Sequence, residues 1–127
     1  MKKQVLIAGG GIAGMAAALG ASHAGWDARL FERATVFSEV GAGVQLGPNV
    51  VRRLQAWGLQ KSLQQVAAVP QQLVARSALS GQVLASAPLG QSMVERYGAA
   101  YVTIHRADLH TVLHSAAQER ADIYINP

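Results

Sequence analysis

Gly9, Gly11 and Gly14 stand in the spacing G-x-G-x-x-G, directly after the apolar run Val5-Leu6-Ile7-Ala8 and directly before an Ala-rich run beginning at Ile12. Glycines placed this way cradle a pyrophosphate. Gly9 permits a tight turn. Gly11 has no Cβ to hold a phosphate off the backbone, and Gly14 lets a helix pack closely on a strand. Free N–H groups and the dipole at the helix start favour an anion there. Glu32 follows about 20 residues on, where a carboxylate meets ribose hydroxyls. The competing reading is a Gly-rich turn with no ligand and a solvated strand end. The complete order of strand, turn, helix, strand and acid favours a dinucleotide.

The elements that must hold these residues follow from the pattern. Gln4 to Ala8 reads as a buried strand, Ile12 to Ala24 as a helix of small side chains capped by Gly25, and Ala28 to Glu32 as a second strand. Arg33 to Val40 reads as a loop. Gly41-Ala42-Gly43-Val44-Gln45-Leu46-Gly47-Pro48-Asn49 is a second glycine-rich segment, with Pro48 suited to the first position of a helix. That helix carries Val50, Leu54 and Trp57 on one face, and Gly58-Leu59 ends it in a Schellman turn. A short helix fits Gln60 to Pro70. A β-hairpin fits Gln72–Leu79 and Gln82–Leu89 around a two-residue Ser80-Gly81 turn. Gly90 to Ala99 reads as a loop and Ala100 to Ile104 as a strand. A helix from His105 carries the stripe Leu109, Val112, Leu113 and Ala116, and a parallel strand begins at Ala121. Crossover helices between strands imply a parallel sheet. The fold class is therefore α/β: a partial Rossmann-like βαβ domain with a short parallel sheet, Gln4–Ala8, Ala28–Glu32 and Asp122–Ile125, and an inserted hairpin.

Bulk properties narrow the function classes. The chain has 127 residues, half of them hydrophobic, and a net charge of +4. Its 11 Lys and Arg are scattered without interleaved aromatics, which argues against nucleic acid. It has no Cys and hence no disulfide framework or thiolate metal site. His110 and His114 have i, i+4 spacing but no H-E-x-x-H around them, and read as a polar helix face rather than a metal site. The uncharged run after Lys2-Lys3 superficially resembles a signal peptide or membrane span, but three consecutive glycines interrupt it. A soluble cytoplasmic protein without a membrane segment is expected. Arg106 is a cation in the first turn of a helix, mildly unfavourable by the dipole rule. Either Asp108 offsets it or Arg106 faces a bound anion. Tyr101 and His105 are catalytic candidates only by type, and read better as ordinary polar residues near a helix start.

Three segments together resemble the N-terminal part of the FAD-dependent aromatic hydroxylases, flavoprotein monooxygenases of the salicylate and hydroxybenzoate hydroxylase type. These are Val5–Gly14 with Glu32-Arg33, Gly41–Asn49 with the helix ending in Trp57-Gly58-Leu59, and His105-Arg106-Ala107-Asp108-Leu109-His110. The resemblance implies FAD as cofactor. It implies Gly9, Gly11 and Gly14 at the pyrophosphate, Glu32 on the adenosine ribose, Arg33 near the adenosine, Gly43 and Val44 as backbone passing the cofactor, and Arg106 in contact with FAD. It implies NAD(P)H as reductant and a small aromatic substrate in the intact enzyme. Such enzymes run to several hundred residues, and their later Asp-Gly and Gly-Asp motifs are absent: neither dipeptide occurs here. Residues 1–127 are therefore expected to be an incomplete FAD-binding domain, inactive alone and prone to form a homodimer through open strands. The alternatives are a non-catalytic dinucleotide-binding or self-associating module and an NAD-binding dehydrogenase domain. The latter leaves Gly41–Asn49 and Arg106 unexplained.

Overall fold

A computed structural model describes residues 1–37 and 41–126. The end of the loop expected over Arg33–Val40 lies outside the described residues. The chain divides into two compact units, one formed by Met1–Ala42 with His105–Pro127 and the other by Gly43–Ile104.

The first unit contains β1 (Gln4–Ala8), α1 (Ile12–His23), β2 (Asp27–Glu32), α5 (Arg106–Gln118) and β7 (Asp122–Ile125). The strands form a parallel sheet in the order β1-β2-β7, as expected. Val5 pairs with Ala28, Ile7 with Leu30, and Leu30 with Ile123. Ala28 and Leu30 lie on the sheet's buried face, and Met15, Ala18, Leu19, Leu109, Leu113 and Ala117 complete the core. Full burial of a side chain such as Leu30 stabilises by about 1.5–3 kcal/mol. The small residues of α1 bring it close to α5 and to the sheet. Gly25, at φ +83°, closes α1 in a Schellman turn: its N–H donates to Ser22 and that of Trp26 to Ala21. On the opposite sheet face Phe31 and Tyr124 stack with ring centroids 5.0 Å apart. Arg29 lies between Asp27 and Asp122 at 3.7 and 3.8 Å, an exposed arrangement worth little.

The second unit contains β3 (Gly43–Leu46), α2 (Pro48–Ala56), α3 (Gln60–Val66), β4 (Gln72–Arg76), β5 (Val83–Pro88), α4 (Gly90–Tyr97) and β6 (Val102–His105), with β3 beside β6 and β4 antiparallel to β5. The Schellman ending is present: the Gly58 N–H donates to Gln55 and the Leu59 N–H to Leu54. The stripe on α2 is displaced. Val51 and Leu54 are buried, whereas Val50 is exposed. The hairpin is real, but its turn is longer than two residues. Strand pairing stops at Arg76 and Val83. The connection closes on itself, with Ser77 Oγ accepting from the Leu79 and Ser80 N–H groups and Gly81 at φ +72°. Residues 90–97 are helical rather than a loop. The Ser92 hydroxyl donates to the Leu89 carbonyl, and Gly98 at φ +79° ends the helix. Gly90 at its start masked a run of adequate helix formers. Among the described residues no helix is long and apolar enough to cross a membrane.

Candidate functional site

The glycine turn joins β1 to α1. Gly9 adopts φ +101°, and its N–H donates to the Phe31 carbonyl at 2.8 Å, fastening the turn to the end of β2. A Cβ on Gly14 would overlap the Gly9 carbonyl oxygen and come within 3.0 Å of the carbonyl carbon, so the approach of α1 demands glycine there. A Cβ on Gly11 would meet nothing within 4 Å. Gly11 caps α1 without a side-chain hydrogen bond, and the first turn carries no acidic residue. The helix start therefore offers N–H groups on an open side, with no carboxylate of its own first turn to repel an anion. These features fit a pyrophosphate.

Gly10 is held from both of its peptide groups. Its N–H donates to Glu32 Oε2 at 2.6 Å, and its carbonyl accepts from His110 Nε2 at 2.6 Å. Glu32 Oε1 accepts from the Ala34 N–H at 2.8 Å. The N–H groups of Ala34 and Gly10, opposed by desolvation and aided by the Arg33 charge, hold the Glu32 carboxyl below the usual range, so it is ionised at neutral pH. His110 is buried on α5, and Phe37 packs its ring 4.7 Å from His110 and 4.8 Å from His114. Burial, then the neighbouring His110, pushes the His114 imidazole down. Its Nε2 is buried and has no hydrogen-bond partner among the described residues. Arg106 opens α5 one turn before His110, so both project from one side of the helix. The Arg106 N–H donates to the Ala42 carbonyl at 2.9 Å. Arg33 is exposed beside Glu32. Gly43 and Val44 open β3 in the second unit. Among the described residues no group of three or more His, Asp or Glu is placed to hold a metal ion.

A family model described as an FAD binding domain matches residues 2–126. The chain belongs to this family. FAD is therefore its cofactor. Among curated relatives, the 6-hydroxynicotinate 3-monooxygenase of Bordetella bronchiseptica is 38% identical over 115 residues, covering 91% of this chain and 30% of that protein. The 3-hydroxybenzoate 6-hydroxylase of Polaromonas naphthalenivorans is 37% identical over 119 residues, covering 94% and 30%. The chain thus spans less than a third of the length of either relative. Among solved structures, the tetrameric form of 2-methyl-3-hydroxypyridine-5-carboxylic acid oxygenase superimposes with a TM-score of 0.82 at 26% identity, covering 98% of this chain and 32% of that one.

Within this FAD-binding chain, three residues of the turn's support escape the sequence reading. Gly10 occupies an unspecified place in the spacing, yet a Cβ there would lie 2.7 Å from Phe37 Cε1 and 3.1 Å from Glu32 Cβ. Phe37 falls in a stretch read as plain loop. His110 belongs to the core, not to a polar face: it is 3% exposed. The signal was present in the periodicity, because His110, Leu113 and Ala117 are spaced i, i+3, i+7 on one face of α5.

Proposed function

We propose that this chain binds FAD by its adenosine and pyrophosphate end and supplies that binding to a monooxygenase acting on a small aromatic ring, with NAD(P)H as reductant. The observation that carries the reading is the open start of α1 at Gly11, which has no side-chain cap, beside an ionised Glu32. In this proposal Gly9, Gly11 and Gly14 bear the pyrophosphate, Glu32 accepts from ribose hydroxyls, Arg33 lies near the adenosine, and Arg106 contacts the cofactor as a cation. Gly43 and Val44 offer backbone to it. Glu32 Oε1 and Oε2 each receive one backbone N–H, and a carboxylate has about four acceptor positions, so capacity for ribose remains. Bound flavin would supply oxygen activation, and the residues described here hold and orient it. The aromatic substrate rests on the names of the relatives, which act on hydroxylated benzoate and nicotinate rings. Residues 1–127 are then one part of the FAD-binding domain, and self-association through exposed strands is part of the same proposal.

Calorimetric titration of the chain with FAD, ADP and FMN tests this. FAD and ADP are expected to compete for one site, while FMN, which lacks the adenosine end, gives no heat. Equal binding of FMN and FAD, or failure of ADP to compete, would overturn the proposal.

A further inference from the structure

The Gly9-Gly10-Gly11 run is the most permissive backbone in the chain, and an unrestrained triple glycine samples many conformations. In this structure two side chains from distant parts of the sequence remove that freedom. Glu32, 22 residues away, fixes the peptide between Gly9 and Gly10 by accepting from its N–H. His110, 100 residues away, fixes the peptide between Gly10 and Gly11 by donating to its carbonyl. Phe37 closes the remaining side, where even one methyl group on Gly10 would overlap its ring.

The second of these bonds has a directional consequence. A peptide is planar, and neither peptide of this run is cis, so a carbonyl and the N–H on the same peptide point in opposite directions. The Gly10 carbonyl points at His110 on α5. The Gly11 N–H must therefore point away from α5. We propose that His110 is a positioning residue: by holding the Gly10 carbonyl it aims the Gly11 N–H outward and keeps the turn in the one conformation that receives a pyrophosphate. This rests on the FAD reading above. The bond keeps the proton of a neutral His110 on Nε2. Phe37 packs against the same ring and restricts its rotation. The entropy cost of ordering three glycines is thereby met in folding rather than in binding.

The test compares His110→Gln, whose amide N–H can reach the same carbonyl, with His110→Leu and His110→Phe, which fill space without a donor. Two readouts are taken on the full chain. The first is amide hydrogen exchange, in the absence of ligand, at Gly9, Gly10 and Met15, whose N–H groups are hydrogen-bonded within and around the turn, with β1 and β2 as internal reference. The second is the affinity for FAD and for ADP. The donorless variants are expected to exchange the turn amides about tenfold faster and to bind both ligands about tenfold more weakly, as for one lost buried hydrogen bond. His110→Gln is expected to recover most of both. Wild-type exchange and affinity in a donorless variant, or equal loss in His110→Gln, would overturn the proposal. If one donorless variant fails to fold, the other decides. If the wild-type chain binds neither FAD nor ADP, the cofactor reading falls, and the exchange pattern still decides whether His110 holds the turn.

Discussion

Glu32 Oε2 accepts a hydrogen bond of 2.6 Å from the Gly10 N–H, so the acid at the end of β2 is also a strut of the glycine turn. A carboxylate fixed there, and kept ionised chiefly by the Ala34 and Gly10 N–H groups, repels a phosphate brought to the same place. The expected outcome is that 2′-phosphorylated ADP fails to displace FAD at concentrations where ADP succeeds. Glu32→Gln should relax this exclusion. If both nucleotides compete equally in the wild-type chain, Glu32 does not meet the ribose.

The glycines separate by what a methyl group would strike. Gly14→Ala drives a Cβ into the Gly9 backbone, which cannot rotate aside, and should cost about 1–3 kcal/mol or more of stability. Gly11→Ala meets open space at a φ that alanine adopts, so its cost is only that of an N-cap glycine replaced by alanine, about 1 kcal/mol or less. Its Cβ would instead occupy room proposed for the pyrophosphate, so FAD affinity should fall at least about tenfold, or 1.4 kcal/mol. Denaturant melts and titrations on the two variants measure this. A Gly11→Ala chain that binds FAD normally would move the pyrophosphate elsewhere.

Two groups predict how stability follows pH. The His114 imidazole is depressed from its ordinary 6.5, so below that pH the unfolded chain binds more protons than the folded one. This contribution is complete above 6.5 and is lost as pH falls through the folded value. Glu32 is depressed from 4.5, and its contribution is present above 4.5 and lost as pH falls below it. The melting temperature should therefore decline in two stages on acidification. His114→Asn should flatten the upper stage and Glu32→Gln the lower. An upper slope unchanged by His114→Asn would assign it to another group.

Arg106 begins α5, where a cation costs about 0.3–1 kcal/mol by the dipole rule, with Asp108 in the same turn as partial relief. Arg106→Ala should therefore weaken FAD retention more than it lowers the melting temperature of the cofactor-free chain. A sharp fall in stability with unchanged affinity would make Arg106 a structural residue.

Much of this fold was legible because local signals agreed with tertiary demand. The spacing Gly9, Gly11, Gly14 fixed a turn between strand and helix, and Gly25 and Gly58 marked helix ends that the structure closes with Schellman hydrogen bonds. The missed features depend on partners remote in sequence. Nothing near Gly10 announces that Phe37 and His110 pack around it, since those contacts span 27 and 100 residues. His110 departs from the polar-face expectation because its spacing from Leu113 places it inside, where the Gly10 carbonyl satisfies its ring nitrogen. Gly90 and Gly98 suggest a loop, whereas Gly98 serves as the left-handed cap of helix α4.

The hairpin carries the last prediction. Leu73 pairs with Ala87 and Ala75 with Ala85, which places four apolar side chains on one face, all exposed. The loop tip adds Leu79, also exposed. An apolar face of this kind on a two-stranded ribbon favours association with a like face. The isolated chain is expected to form dimers or larger species with rising concentration. Ala85→Glu places a charge at the centre of the face and should shift the chain toward monomer. That variant should leave FAD affinity unchanged, because none of the residues proposed for the cofactor lies on β4 or β5. Light scattering over a concentration series measures the first effect and titration the second. A wild-type chain that stays monomeric at high concentration would refute the self-association. An Ala85→Glu chain with the wild-type oligomer distribution would place the contact on another surface.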